Sequence, residues 1–217
     1  MFITFEGIDG SGKTTIANKL CSALKKNGIN TLCLQKSDIE SHESSSYVMR
    51  HANLLKLAIW GVEGNDPEWL LGDKHWVLLM ASWFVLFEKR VLNSHIDKFD
   101  VIIIDNWIYK FWAKLLLSSE IQEEFLNNIF DNILRPDITF YLDVNPEIAL
   151  KRKSNINTSE CGAFLNNVFD KEHGFLEHQE KIKNKLDYFS IKYKWSVLDG
   201  SKNTDDLISE IILHHFC

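Results

Sequence analysis

Apolar residues along this chain fall into two kinds of run that alternate. Short unbroken runs at 2–5, 31–34, 101–105, 137–144 and 195–198 are rich in β-branched and aromatic residues and have the length of buried strands. Between them the apolar positions recur at helical spacing. Ile16, Ala17, Leu20, Ala23 and Leu24 line one side of a helix over 13–27, and Gly28 stops it. The same reading predicts helices over 48–62, 76–96, 107–117, 121–134 (stopped by Pro136), 146–152, 175–193 and 204–216. Segment 37–46 is serine-rich and reads as a loop. Asn65-Asp66-Pro67 reads as a turn with proline at a helix start, and the Asn-rich 155–167 as a mobile segment.

Strand–helix alternation of this kind implies an α/β fold built on a parallel sheet. No repeat or linker interrupts it, so residues 1–217 are expected to form one domain. Hydrophobic residues are 45% and charged residues 25% of the chain, which excludes disorder and low-complexity classes for most of its length. The net charge is −6, and the longest basic runs are Lys25-Lys26 and Lys151-Arg152-Lys153. Neither matches the basic stripe of a nucleic-acid binder. The apolar run 76–87 has 12 residues, too few to span a bilayer, and the start of the chain has no basic n-region. A cytoplasmic protein with no membrane or nucleic-acid partner is expected. The four cysteines form no C-x-x-C pair, which argues against structural zinc.

One motif carries chemistry outright. Gly7-Ile8-Asp9-Gly10-Ser11-Gly12-Lys13-Thr14 fits G-x-x-x-x-G-K-[ST] between a strand and a helix. Its glycines turn backbone N–H groups inward around phosphate oxygens, and the helix N-terminus adds positive charge. Lys13 reaches the β/γ-phosphates and the Thr14 hydroxyl ligates Mg²⁺. Asp105, closing the run Val101-Ile102-Ile103-Ile104, is the matching carboxylate for a magnesium-bound water; a helix cap is the plainer alternative. Asp143, also at a strand end, reads as a helix cap.

Phe5-Glu6-Gly7-Ile8-Asp9-Gly10-Ser11-Gly12-Lys13-Thr14-Thr15 closely resembles the phosphate loop of thymidylate kinases. Arg135-Pro136-Asp137-Ile138-Thr139-Phe140-Tyr141-Leu142-Asp143-Val144 and Ala149-Leu150-Lys151-Arg152 are similar to the same family, and the C-terminal part more loosely. The resemblance implies a three-layer P-loop kinase fold: about five parallel strands flanked by helices, with a short lid over 153–174. It implies ATP as phosphoryl donor, Mg²⁺ as cofactor, a nucleoside monophosphate such as dTMP as acceptor, and a homodimer. It gives Thr15 a place in the phosphate loop. It places Asp9 against the acceptor sugar, where turn chemistry is the plainer reading, and Arg152 near adenine and the lid, where a solvated helix face is. Lys171 becomes the lid cation, or else an ordinary surface lysine. His173 and His178 read as surface residues.

The chain departs from the family pattern on the acceptor side. Asn106 stands where an arginine grips the acceptor phosphate, and Met80 and Phe84 stand where a Phe-x-x-x-Arg segment meets thymine. Lys36 and Lys110 are the available substitutes, as point charges, although Lys110 also reads as an exposed lysine on an apolar helix. These departures leave room for two alternatives: a kinase of another small acceptor, or a nucleotide-binding protein without transferase activity.

Overall fold

In the computed structural model, which describes residues 1–36, 39–61, 68–162 and 170–216, the five expected strands form one sheet. They are β1 (Phe2–Glu6), β2 (Thr31–Leu34), β3 (Val101–Ile104), β4 (Ile138–Asp143) and β5 (Ser196–Asp199). Their order is β2-β3-β1-β4-β5 and every neighbouring pair is parallel, as the α/β reading requires. The helices in chain order are α1 (Lys13–Lys26), α2 (Ile39–His42), α3 (Ser46–Trp60), α4 (Asp73–Phe87), α5 (Asn93–His95), α6 (Tyr109–Leu115), α7 (Glu123–Phe130), α8 (Pro146–Lys151), α9 (Lys171–Lys192) and α10 (Thr204–His215). Short 3₁₀ turns lie at Glu68–Leu71 and Thr158–Glu160, and a π turn at Glu88–Leu92.

Side chains alternate across β1 and divide the interior in two. Ile3 and Phe5 pack with Ile16, Leu20, Leu24, Leu207 and Ile211 of α1 and α10. Phe2 points to the other face, into a larger aromatic core where Trp107 meets Phe2 at 5.7 Å, Phe84 at 5.0 Å and Phe87 at 6.0 Å between ring centroids. Truncating one such buried aromatic ring costs about 3–5 kcal/mol.

Element ends differ from expectation where a distant group competes for the backbone. The helix expected over 107–117 begins at Tyr109, because Trp107 and Lys110 N–H donate to the two carboxylate oxygens of Glu6 at 3.0 and 3.2 Å. The helix expected over 121–134 ends at Phe130; beyond it, Leu134 N–H donates to Glu88 and Leu134 C=O accepts from the Trp107 indole, both at 2.8 Å. The helix expected over 76–96 is broken at Phe87 by the π turn, which keeps Phe87, Val91 and Leu92 all buried. The expected loop 37–46 contains α2 and the first residue of α3, while Ser37 and Asp38 lie outside the described residues. α9 begins four residues before the expected 175, since Asp170 accepts from the N–H groups of Glu172 and His173. The turn at 65–67 and residues 163–169 of the expected mobile segment and lid lie outside the described residues. Among the described residues, no helix is long and apolar enough to cross a membrane.

Candidate active site

β1 sits between β3 and β4, so the crevice at the carboxyl ends of β1 and β3 is the switch point of the sheet. Thr4 lies opposite Ile104 in register, and the loop after Glu6 therefore emerges beside Asp105. Gly10 passes the α8 backbone with φ +80°, so closely that a Cβ there would lie 2.6 Å from the Ala149 carbonyl oxygen. Gly12, at φ +99°, starts α1 with no side-chain cap, which leaves the first N–H groups directed at the loop. Lys13 curls back over this loop and donates to Gly7 O (2.9 Å), Ile8 O (2.7 Å) and Ser11 Oγ (3.3 Å). The Thr14 hydroxyl donates to Asp105 Oδ2 at 2.6 Å, joining the loop to the end of β3. Behind the loop a cleft of about 220 Å³ is lined by Ser11, Thr15, Arg152, Gly200, Lys202 and Thr204. The Arg152 guanidinium donates to Ser11 O (3.3 Å) and Gly200 O (2.9 Å), bridging the phosphate loop to the turn after β5.

The opposite side of the loop is a charged, largely buried cluster. Asp9 N–H donates to Gln179 Oε1 at 2.9 Å, and Gln179 Nε2 donates back to Asp9 Oδ2 at 3.2 Å. The Lys110 ammonium is ion-paired with Asp9 Oδ1. Burial alone would raise the Asp9 carboxyl, but Lys110 and Lys13 outweigh it and hold the group below the usual carboxylate range. Glu6, fully buried beneath, is pushed up to about 7 by burial. Lys13 is pushed down by burial and by Lys110. The Lys36 ammonium lies 4.4 Å from the Phe111 ring centroid and 6.0 Å from that of Trp60, and burial with the repulsion of Lys110 lowers it to about 8.

Residues 7, 9–15, 36, 105 and 110 are thus brought to one crevice. Lys110 is no exposed lysine: its side chain is 15% accessible. Asn106 is nearby in sequence but buried, and its Oδ1 meets no hydrogen-bond partner among the described residues. Met80 and Phe84 are both buried: Phe84 packs against Trp107 and, at 5.4 Å, Phe111, the ring beside Lys36, and Met80 is 6% exposed. Lys171 stands exposed in the first turn of α9, and its ammonium meets no partner among the described residues. Asp143 does not cap α8: Asn145 does, accepting from Glu147 N–H at 2.7 Å, while Asp143 pairs with Lys183 at 2.8 Å. His178 is buried rather than on the surface, because α9 turns that side onto Gly162. Sequence reasoning missed Gln179, Glu6, Lys202 and Thr204. Gln179 gave no signal, whereas the polar cluster after β5 is a visible helix-start pattern.

Thr14 and Asp105 supply two hard oxygen ligands side by side, the partial set a magnesium ion takes when phosphates and water complete its shell. Among the described residues there is no cluster of three or more metal-ligating side chains.

The family model for thymidylate kinase matches residues 5–44. The thymidylate kinase of Buchnera aphidicola subsp. Baizongia pistaciae is 31% identical over 179 residues, 78% of this chain and 79% of that protein. The chain belongs to the thymidylate kinase family. The thymidylate kinase of Chlorobium phaeobacteroides is 28% identical and covers 98% of this chain and 93% of its own length. That of Caldanaerobacter subterraneus subsp. tengcongensis is 32% identical over 158 residues, 70% of this chain and 68% of the relative. The similarity to the Chlorobium phaeobacteroides relative spans nearly the whole chain.

Proposed function

We propose that this thymidylate kinase family member is a cytoplasmic, ATP-dependent kinase that converts dTMP to the diphosphate. The observation that carries this reading is the pairing of two half-sites across one loop: Lys13 and the Thr14–Asp105 contact on the donor side, and Asp9 with Lys110 on the acceptor side. An acceptor phosphate oxygen attacks the γ-phosphorus of ATP, the bond from that phosphorus to the β,γ-bridging oxygen breaks, and ADP leaves. Lys13 exchanges its contacts with the loop carbonyls for the β- and γ-phosphates. Loop N–H groups and the start of α1 hold those phosphates in place, and Thr15 adds its hydroxyl. Arg152, Gly200 and Thr204 border the space for the base of the donor. Thr14 and Asp105 would hold Mg²⁺, which when bound neutralises charge between the β- and γ-phosphates.

On the acceptor side, Asp9 accepts from the sugar hydroxyl, and Lys110 and Lys36 face the acceptor phosphate in place of the arginine absent at Asn106. Two ammonium groups match the charge of a monophosphate, although without the fork geometry of arginine. Lys171 is the described lid cation, at the start of α9. A homodimer fits the exposed Leu54, Leu57, Leu78 and Val85 on α3 and α4, which offer a second copy an apolar face.

The test is steady-state transfer from ATP, with Mg²⁺, to a panel of nucleoside monophosphates and nucleosides. Turnover of dTMP is expected at roughly 1–100 s⁻¹, and a folded Lys13→Ala protein should lose at least about 10²-fold in rate. Transfer to another acceptor alone, or near-normal turnover in Lys13→Ala, would overturn the reading.

A further inference from the structure

Gln179 is a polar side chain that is fully buried, and every hydrogen-bonding role of its amide except one acceptor lone pair is filled by the active-site crevice. Its Oε1 accepts from the Asp9 N–H at 2.9 Å. Its Nε2 donates to Asp9 Oδ2 at 3.2 Å and to the Glu160 carbonyl at 2.9 Å. Two contacts to one residue, one main-chain and one side-chain, fix both the backbone and the χ1 of Asp9. They also leave Oδ1 turned to Lys110. The third contact reaches the 3₁₀ turn at Thr158–Glu160. That turn is itself closed, because the Glu160 carboxylate accepts from Asn157 N–H at 3.0 Å and pairs with Lys153 at 2.9 Å. α9, the phosphate loop and this turn therefore meet at one amide.

We propose that Gln179 is a positioning residue for acceptor use: it orients the Asp9 carboxylate and registers the turn at Thr158–Glu160 against the phosphate loop. The proposal rests on the reading of Asp9 as the acceptor-side carboxylate. Neutrality of the amide is essential to it. A carboxylate at this place would accept from Asp9 N–H but could not donate to Asp9 Oδ2 without a proton, so two carboxyl groups would have to share one. The charged and titratable groups around that pair are Lys13 from α1, Lys36 after β2, Lys110 and Lys114 from α6, His178 from α9, Glu6 of β1 beneath Lys13 and Lys110, and the Glu160–Lys153 pair beside the turn. The four lysines around Asp9 favour the ionised forms, so the shared proton is lost as pH rises.

The experiment compares wild type, Gln179→Leu and Gln179→Glu by steady-state kinetics with ATP and dTMP from pH 6 to 8, and by hydrogen–deuterium exchange without nucleotide. Gln179→Leu is expected to raise the KM for dTMP about tenfold while the KM for ATP stays within about twofold. Exchange should quicken in peptides covering residues 7–12 and 157–162, and not in β1 or β3. Gln179→Glu should use dTMP within about threefold of wild type near pH 6 and lose about tenfold more by pH 8, through an ionisation that wild type lacks. Equal loss for both substrates, unchanged exchange in both peptides, or a Gln179→Glu profile parallel to wild type would each overturn the proposal. If wild type does not turn over dTMP, the kinase reading fails by itself, and the exchange data still decide whether Gln179 holds Asp9 and the turn.

Discussion

The contact between Thr14 and Asp105 is a 2.6 Å hydrogen bond between a hydroxyl in the first turn of α1 and a carboxylate at the end of β3. Either group could serve as a simple structural clasp, so charge is the property to test. Asp105→Asn keeps an oxygen that accepts from Thr14 and removes only the negative charge. A metal-holding role predicts that the Mg²⁺ concentration for half-maximal transfer rises by about tenfold or more, while binding of metal-free ATP stays within about twofold. Magnesium titration of activity and calorimetry in EDTA check the two halves. Unchanged magnesium dependence would make Asp105 a clasp and nothing more. The same logic separates Asp9 from an ordinary turn aspartate. Its lowered carboxyl pKa comes from Lys110 and Lys13 overcoming burial, which keeps it ionised across the working pH range.

Elements set how closely these residues approach each other. The phosphate loop lies against α8, and Gly10 is the point of closest approach. Gly10→Ala must hold an L-residue at φ +80°, which costs about 1–2 kcal/mol, and must also push the Ala149 carbonyl away. A backbone atom cannot rotate aside as a side chain would, so α8 shifts, and Arg152 just after it shifts too. ATP affinity is expected to fall at least about tenfold, with a melting temperature lower by roughly 2–8 °C. Calorimetric titration and a thermal melt measure both, and wild-type ATP affinity would show that the loop is not held against α8 in the functional state. Glu6 works at the same scale in reverse: a β1 side chain satisfies two N–H groups at the start of α6 and thereby points Lys110 at Asp9.

Over the whole molecule, two buried groups pull stability in opposite directions as pH changes. Burial, reinforced by Lys114, pushes His178 down to about 4 from 6.5, so the unfolded chain binds its proton first. The stability His178 allows is present above pH 6.5 and is lost as pH falls towards 4. Glu6 is raised by burial, so its share is present below its unfolded pKa and lost as pH rises through about 7. Wild type alone therefore hides both slopes. Urea unfolding of wild type and His178→Gln should show wild type losing about 2 kcal/mol relative to the variant between pH 7.5 and 5. A pH-independent difference would mean that His178 titrates normally in the fold. His178 also marks the limit of sequence reading, since a histidine in a charged helix reads as surface until the packing of Gly162 against it is seen. The sequence by itself determined the five strands, the α/β class and the glycine–lysine loop between β1 and α1, because short apolar runs and that loop motif are local codes, legible wherever the chain lies in space. Asp170 shows how far that reaches: its cap moves the start of α9 by four residues and was open to a reader of caps. Tertiary structure alone decided what surrounds Asp9. Whether Lys110 faced solvent or Asp9, and how deeply Phe84 was buried, depended on β1 and β3 lying side by side and on α9 closing over them. It also brought Gln179 to Asp9 across 170 residues of chain. Those are contacts between segments far apart in sequence, and their free energies come from burial and ion pairing that exist only once the layers are packed.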